Sequence, residues 1–535
     1  MKIEHDKQVL EQEEDDGHKP LHAVVIPLPL QGHITPALQL AKKLAALGFR
    51  VTFVNTRHNH DRLMQARCKN SEPDDDHIEF VSVSDRLCEG HRLQDAVAFC
   101  NGLLEMGPVF EELFQELLQK SSITCVIRDS RFSAVHYAGK KLGIPVVGLV
   151  TSSAISTQCN YHLSTFLSTG ILPLPPPPAH DPTPSLDLVN LTLGPPRSDE
   201  EAAVRRAPLT CLPGGSPTMR VEDLPPVLLT HDIDSFWHRM FLETQSPLLP
   251  ECDCVLYNSF HGLEGDVLDA MSGLNANIFA VGPLILSSTT TVAGVEDVGM
   301  APAGSGLWEE DRVCLSWLDA RSSDSVLFVS FGSIASMSLE QMQEFACGLE
   351  MSGHAFLWVV RSDLIEDMCK DKEFERIFSE FVVRTKDRAL LVPWVPQIAV
   401  LSHPSVAAFL THCGWNSVTE SISGGVPMLA WPRIADQNTN CHYITHVWKI
   451  GLRFESQVRD GNAVVAKEEV AHKVKRIMAV EGSDMEVDAI RLNSRNFQEA
   501  AKKAVAKGGS SQRALTAFVE LIQCKAKHSS PPQHC

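Results

Sequence analysis

The residues able to do chemistry crowd into one stretch of this chain. From Trp394 to Gln437 it reads WVPQIAVLSHPSVAAFLTHCGWNSVTESISGGVPMLAWPRIADQ. Val406 to Leu410 is a short apolar run that suits a buried strand. Thr411-His412-Cys413-Gly414 follows as a turn, with Gly414 allowing close backbone approach. A helix beginning near Trp415-Asn416-Ser417 would turn its free N–H groups and positive dipole end toward an anion. Asn416, Ser417 and His412 add side-chain donors there. Glu420 lies one turn after Asn416 on the same helix face, where a carboxylate can accept from two ribose hydroxyls. Trp394 offers a flat surface for a base, with Gln397 one short step away. Val426 to Ala430 reads as the next strand, and Asp436-Gln437 follow it, where parallel sheets gather their ligand residues. Together these are the parts needed to hold a nucleotide sugar.

The elements that must position them alternate along the chain. Ala23 to Leu28 reads as a strand, Pro36 to Leu47 as a helix stopped by Gly48, and RVTFVN as a second strand. Ile123 to Arg128 is another strand, followed by a helix to Leu142 and then PVVGLV. This is βαβ logic and implies parallel sheets. SVLFVSFGS (Ser325 to Ser333) opens a second alternating domain. Between them, Leu172 to Pro184 is too proline-rich for helix or central strand, and Ser152 to Pro247 lacks clean alternation. Leu286 to Gly306 is poor in large apolar residues and reads as an interdomain linker.

Taken singly, each residue of the Trp394–Gln437 stretch has an ordinary explanation in packing, capping or solvation. Jointly, with spacing intact, they closely resemble the signature box of plant secondary-product glycosyltransferases, the UDP-sugar-dependent family. The resemblance implies an α/β GT-B fold, two Rossmann-like domains with parallel sheets facing across a cleft. It implies that Trp394 stacks on uracil with Gln397 near uracil and ribose. His412, Asn416 and Ser417 would hold the diphosphate, with Ser333 of the FGS turn nearby. Glu420 would bind the ribose, and Trp415, Asp436 and Gln437 would face the sugar. In this family glutamine at the last box position usually goes with glucose, which points to UDP-glucose as donor. Arg433 and Ile434 stand where the family more often has aromatics.

Transfer to a hydroxyl needs a base. PLPLQGHITPALQL places His33 between the first strand and first helix, with Thr35 as a candidate N-cap and Pro36 at the first helical position. The positive end of a helix disfavours an imidazolium, which suits a proton acceptor. On local sequence alone His33 is equally a solvated turn histidine. Asp129, directly after ITCVIR, is either the carboxylate that orients the imidazole or an N-cap for FSAVHYAGKKL. The resemblance assigns His33 as base and Asp129 as its partner. It implies an inverting hexosyl transfer without metal or cofactor, onto a hydroxyl or a carboxyl of a small lipophilic plant metabolite such as a flavonoid, phenol, terpenoid or hormone. Asp74-Asp75-Asp76 lies in a polar loop and reads as solvated charge.

The remaining alternatives are a non-catalytic UDP-sugar-binding protein, a transferase using another UDP-sugar, and an oxidoreductase. Against the last, the first βα turn has a single glycine, Gly32, rather than GxGxxG. The net charge of -19 argues against a general nucleic-acid binder. No apolar run approaches membrane-spanning length. The first twenty residues carry seven acids against three bases and no apolar core, so they read as a disordered acidic tail rather than a secretory signal. The 15 cysteines, odd in number and without CxxC pairs, suit reduced thiols and a cytoplasmic location. The expected layout is a tail (1–20), an acceptor-binding domain (21–285), a linker (286–310) and a UDP-sugar-binding domain (311–490). C-terminal helices (491–524) return to the first domain, a loose end (525–535) follows, and the chain is expected to be a monomer.

Overall fold

The computed structural model describes residues 21–70, 76–84, 96–176, 186–187, 192–290, 296–300, 306–333, 337–361, 371–459 and 462–528. The acidic segment 1–20, Asp74, Asp75, most of the proline-rich stretch, parts of 286–310 and residues 529–535 lie outside them.

The first half is built on seven parallel strands. These are β1 (His22–Ile26), β2 (Arg50–Thr56), β3 (Ile78–Val83), β4 (Cys125–Asp129), β5 (Val146–Val150), β6 (Cys254–Tyr257) and β7 (Ile278–Ala280). Their order is β3-β2-β1-β4-β5-β6-β7. The second half carries β8 (Val326–Ser330), β9 (Ala355–Val359), β10 (Ala389–Val392), β11 (Val406–Thr411), β12 (Met428–Ala430) and β13 (Gly451–Arg453), in the order β10-β9-β8-β11-β12-β13 and again parallel. Strands such as HAVVI, VVGLV and VAAFLT are buried along their whole length, because helices cover both faces of a parallel sheet.

Six helices matter for the site and its frame: α1 (Gln31–Ala46), α2 (Ser133–Lys141), α3 (Trp415–Gly424), α4 (Gln437–His442), α5 (Met485–Val505) and α6 (Ser510–His528). The first departs from its sequence reading. It starts at Gln31, five residues before Pro36, so Thr35 is no N-cap and His33 stands in the first helical turn. Proline is tolerated there because its missing N–H would have served only the Gly32 carbonyl, one turn back. That carbonyl finds another partner, Asn416 Nδ2 of α3, at 2.8 Å.

Much of the Leu- and Phe-rich segment 152–247 is core. Phe166, Leu172, Leu209, Leu228, Trp237 and Phe241 are buried in one apolar cluster with Trp415, Val418, Tyr443 and Trp448 from the second half. The halves therefore share a continuous core. Polar ties reinforce it: Trp415 Nε1 donates to Asn258 O (2.8 Å), Ser153 Oγ to Asn440 Oδ1 (2.7 Å), and His442 Nδ1 pairs with Asp223 (2.9 Å). Between the sheets, Leu286–Thr290 and Glu296–Met300 form an antiparallel hairpin. At the end of the chain α5 and α6 meet at Gly508 (φ +76°) and Gly509, whose added Cβ would lie 2.2 Å from Lys503 O. α6 then packs on the first sheet through Phe518 against Phe279 and Ser511 Oγ on Gly282 O. Among the described residues no helix is long and apolar enough to cross a membrane.

Candidate active site in the cleft between the sheets

A cavity of about 250 Å³ opens where the C-terminal strand ends of both sheets meet. Every residue singled out from the sequence lines it except Asp129, which lies buried behind His33. Tertiary packing thus joins residues as far apart in sequence as His33 and Gln437.

On the first-sheet side, His33 Nδ1 lies 2.6 Å from Asp129 Oδ2. The other carboxylate oxygen accepts the Arg131 N–H at 2.9 Å. Asp129 does not cap α2, whose N-cap is Phe132 and receives no side-chain bond. Burial pushes the Asp129 carboxyl up, but the charge and hydrogen bond of His33 and the Arg131 N–H outweigh it and hold the group below its ordinary range. An anionic Asp129 fixes the imidazole with Nδ1 inward and leaves Nε2 for the cavity. Thr151, just past β5, adds a hydroxyl 2.9 Å from His33 Nδ1 and 3.3 Å from Asp129 Oδ2. Sequence reasoning passed it over. The available signal was its place after PVVGLV, on the strand paired beside the one that carries Asp129.

On the second-sheet side, α3 begins at Gly414 with no side-chain cap, so its first N–H groups face the cavity as an anion site. The Gly332–Ser333 turn after β8 lies opposite. His412 lies half-buried between them, and desolvation with the Arg361 charge drives its pKa down to about 4 despite a hydrogen bond to the Ser330 main chain. At neutral pH it offers a hydrogen bond and no charge. Its ring touches both glycines: an added Cβ on Gly332 or Gly414 would lie 2.5 Å from His412 Nε2. Gly332 also has φ +73°. Gly332→Ala is therefore expected to cost roughly 2–3 kcal/mol, from αL strain plus the clash, and to weaken UDP binding at least about 10-fold. Thermal unfolding with and without UDP checks both.

Three side chains differ from the roles expected of them. Asn416 Nδ2 is committed to Gly32 O, and its Oδ1 is buried without a partner, so its side chain ties the two halves rather than donating to a phosphate. The Trp415 indole is turned into the interface, its N–H held by Asn258 O. What either residue offers a ligand is its main-chain N–H. Gln437 spends Oε1 on the Arg433 and Ile434 N–H groups, both at 2.9 Å, and so shapes the loop that carries Asp436. Asp436 accepts from Asn440 Nδ2 at 3.0 Å. Burial raises its pKa, against that bond and the charges of Arg131 and His33.

Glu420 is buried at the cavity wall, and its Oε2 accepts from Gln397 Nε2, which also reaches Ser417 Oγ at 3.0 Å. Burial pushes its pKa up to about 7, only partly offset by the Gln397 bond. Trp394 lines the cavity and is backed by Trp308, their rings 5.3 Å apart and 28° from parallel. Arg62 of the first half lies over Trp308, 4.3 Å from the ring centre. Trp308→Ala is expected to raise the KM for the donor about 3- to 10-fold with little change in kcat, the size of one lost aromatic contact. A donor titration at saturating acceptor reads it. Among the described residues no group of three or more His, Cys, Asp or Glu could hold a metal ion.

Two parallel sheets, a shared cleft, an anion-binding helix start with a ribose-height carboxylate, and a His–Asp pair across from it define a sugar-nucleotide-dependent transferase of the GT-B kind. Residues 307–482 match the family model described as UDP-glucoronosyl and UDP-glucosyl transferase. The chain is 34% identical to linamarin synthase 1 of Manihot esculenta, over 94% of this chain and 97% of that one. It is 34% identical to 7-deoxyloganetin glucosyltransferase of Catharanthus roseus, over 96% and 99%. Its structure resembles Phytolacca americana UGT2 complexed with UDP-2fluoro-glucose and pterostilbene, with a TM-score of 0.70, 28% identity and coverage of 94% and 100%. The chain belongs to the plant UDP-glycosyltransferases.

Proposed function

We propose that this enzyme transfers glucose from UDP-glucose to a hydroxyl of a small plant metabolite, with inversion at the anomeric carbon. The observation that carries the reading is the His33–Asp129 pair opening into the same cavity as Glu420, Ser417, Ser333 and Asp436. Trp394 stacks on the uracil, and Glu420 accepts from the ribose hydroxyls. The first N–H groups of α3, with Ser417, Ser333 and His412, hold the diphosphate. Asp436 meets the sugar, and Gln437, its Oε1 spent on the loop, can meet it through Nε2 alone. The acceptor O–H gives its proton to His33 Nε2 as its oxygen bonds to C1. The C1–O bond to the β-phosphate breaks from the opposite face, and its electron pair stays on UDP. An α-linked donor so yields a β-glucoside. Charge growing on UDP meets the helix start, an arrangement complementary to the transition state.

Residues 21–285 form the acceptor-binding domain, 286–310 the linker and 311–490 the donor domain, with 491–524 returning to the first. The enzyme works in the cytoplasm as a monomer. The names of the relatives support glucose as the sugar, as does Gln437. The test is UDP release by the purified protein with UDP-glucose, UDP-galactose and UDP-glucuronate against a panel of phenols, terpenoid alcohols and hormones. Acceptor-dependent release with UDP-glucose and a hexose mass increment is expected. Release with another donor alone would overturn the sugar, and UDP binding without release from any donor would favour a binding protein.

A further inference from the structure

Arg131 is the one lysine or arginine among the described residues that line the cavity. Glu310, Glu420 and Asp436 share that lining, so the space is otherwise acidic. Its main chain is pinned on both sides: the N–H by Asp129 Oδ1 at 2.9 Å and the carbonyl by Gln245 Nε2 at 3.0 Å. Among the described residues the half-buried guanidinium has no hydrogen-bond or ion-pair partner, although its charge is felt at Asp129 and Asp436. A planar fork of donors held at a cavity wall without an acceptor is a site awaiting an anion.

Its place decides which anion. The two oxygens of Asp129 hold the His33 ring and the Arg131 main chain, so Arg131 stands on the wall with Thr151 and Ser152 where the acceptor must lie, and its charge reaches Asp436 across the cavity. The diphosphate groups gather at Ser333 and the start of α3, on the other sheet. The large apolar side chains of the segment after Ser152 do not compete for this role, being largely spent on the core. We propose that Arg131 recognises a carboxylate on the acceptor, which makes the preferred acceptors hydroxy acids glucosylated on the hydroxyl. The acid forks onto Arg131 while its hydroxyl meets His33 Nε2. This rests on the transferase reading above and narrows it to a substrate class.

The test compares matched pairs, each a hydroxy acid and its methyl ester, drawn from hydroxybenzoic, hydroxycinnamic and aliphatic hydroxy acids, with UDP-glucose and full-length protein. Acids are expected to exceed their esters in kcat/KM by about 10- to 100-fold, the range for charge-assisted hydrogen bonds. Arg131→Gln should erase that preference mainly through KM, change the esters far less, and be partly rescued by Arg131→Lys. Esters matching or exceeding their acids in every pair would overturn the proposal while leaving the transferase reading intact. An equal loss for acid and ester in Arg131→Gln would also overturn it, since the cation would then act only on Asp129. So would a product that mild alkali cleaves, because an ester product puts the carboxylate at His33. No UDP release with any acceptor would remove the transferase reading and this proposal with it.

Discussion

His33→Ala is expected to lower kcat by about 10³-fold while leaving the UDP dissociation constant within about 2-fold. The ring contributes the only imidazole whose nitrogen faces the cavity beside an oriented carboxylate, among the described residues, and nothing else on that wall replaces it as a proton acceptor. Asp129→Asn should cost less, about 10²-fold. The amide can still bond the Arg131 N–H, but it no longer stabilises an imidazolium and can favour the wrong tautomer. The double variant should be no worse than His33→Ala, since the carboxylate acts through the ring. Steady-state kinetics with UDP calorimetry on the same samples separate the effects. Turnover within about 3-fold of the parent in His33→Ala would remove it as the base.

Glu420→Ala is expected to weaken UDP binding by about 10²-fold, with kcat at saturating donor reduced far less. Two hydrogen bonds from ribose to a buried carboxylate are at stake, at about 1.5–3 kcal/mol each in the charged form, partly offset because the free acid is poorly solvated. The raised pKa adds a signature. With its folded pKa near 7, against an ordinary 4.5, Glu420 is part-protonated in the free enzyme at neutral pH. Ribose donors favour the anion, so UDP binding should release a fraction of a proton near pH 7, and affinity should rise as pH increases through that region. Glu420→Gln should abolish the release. Calorimetry in buffers of different ionisation enthalpy measures it directly. For stability the sign is opposite to that of a paired carboxylate. Between pH 4.5 and 7 the folded state keeps a proton that the unfolded chain has lost, so Glu420 makes the free protein less stable as pH rises through that window. Glu264, also buried and also pushed to about 7, acts in the same direction.

The sequence was legible wherever local physics decides the outcome. Unbroken apolar runs of five or six residues bounded by glycine or polar turns became buried parallel strands, as in VVGLV and VAAFLT. The donor-side residues from Trp394 to Gln437 could be picked out together because a strand, a turn and a helix start hold most of them within one supersecondary unit. The start of α1 was misplaced because Pro36 looks like a first helical residue, and the helix tolerates it inside only because Asn416, 380 residues away in sequence, takes the carbonyl that proline cannot. Arg131 and Trp308 went unnamed for a related reason: Arg131 matters through a cavity that the second half completes and Trp308 through Trp394, while Thr151 had only its place after PVVGLV to mark it.

What the sequence by itself determined is thus the kind of protein: alternating elements, two parallel sheets and a strand–turn–helix unit for a nucleotide sugar. These follow from periodicity and short-range geometry. Only the tertiary structure decided what each side chain is free to do. It committed the Trp415 and Asn416 side chains to the interface, made His412 a neutral donor and Glu420 a half-titrated acid, and left the Arg131 side chain at the cavity without a partner among the described residues. The reason is physical. Burial, partner and field are properties of position in space, and the groups that set them come from elsewhere in the chain: from the other half for Trp415 and Asn416, from other turns of the same half for His412 and Glu420.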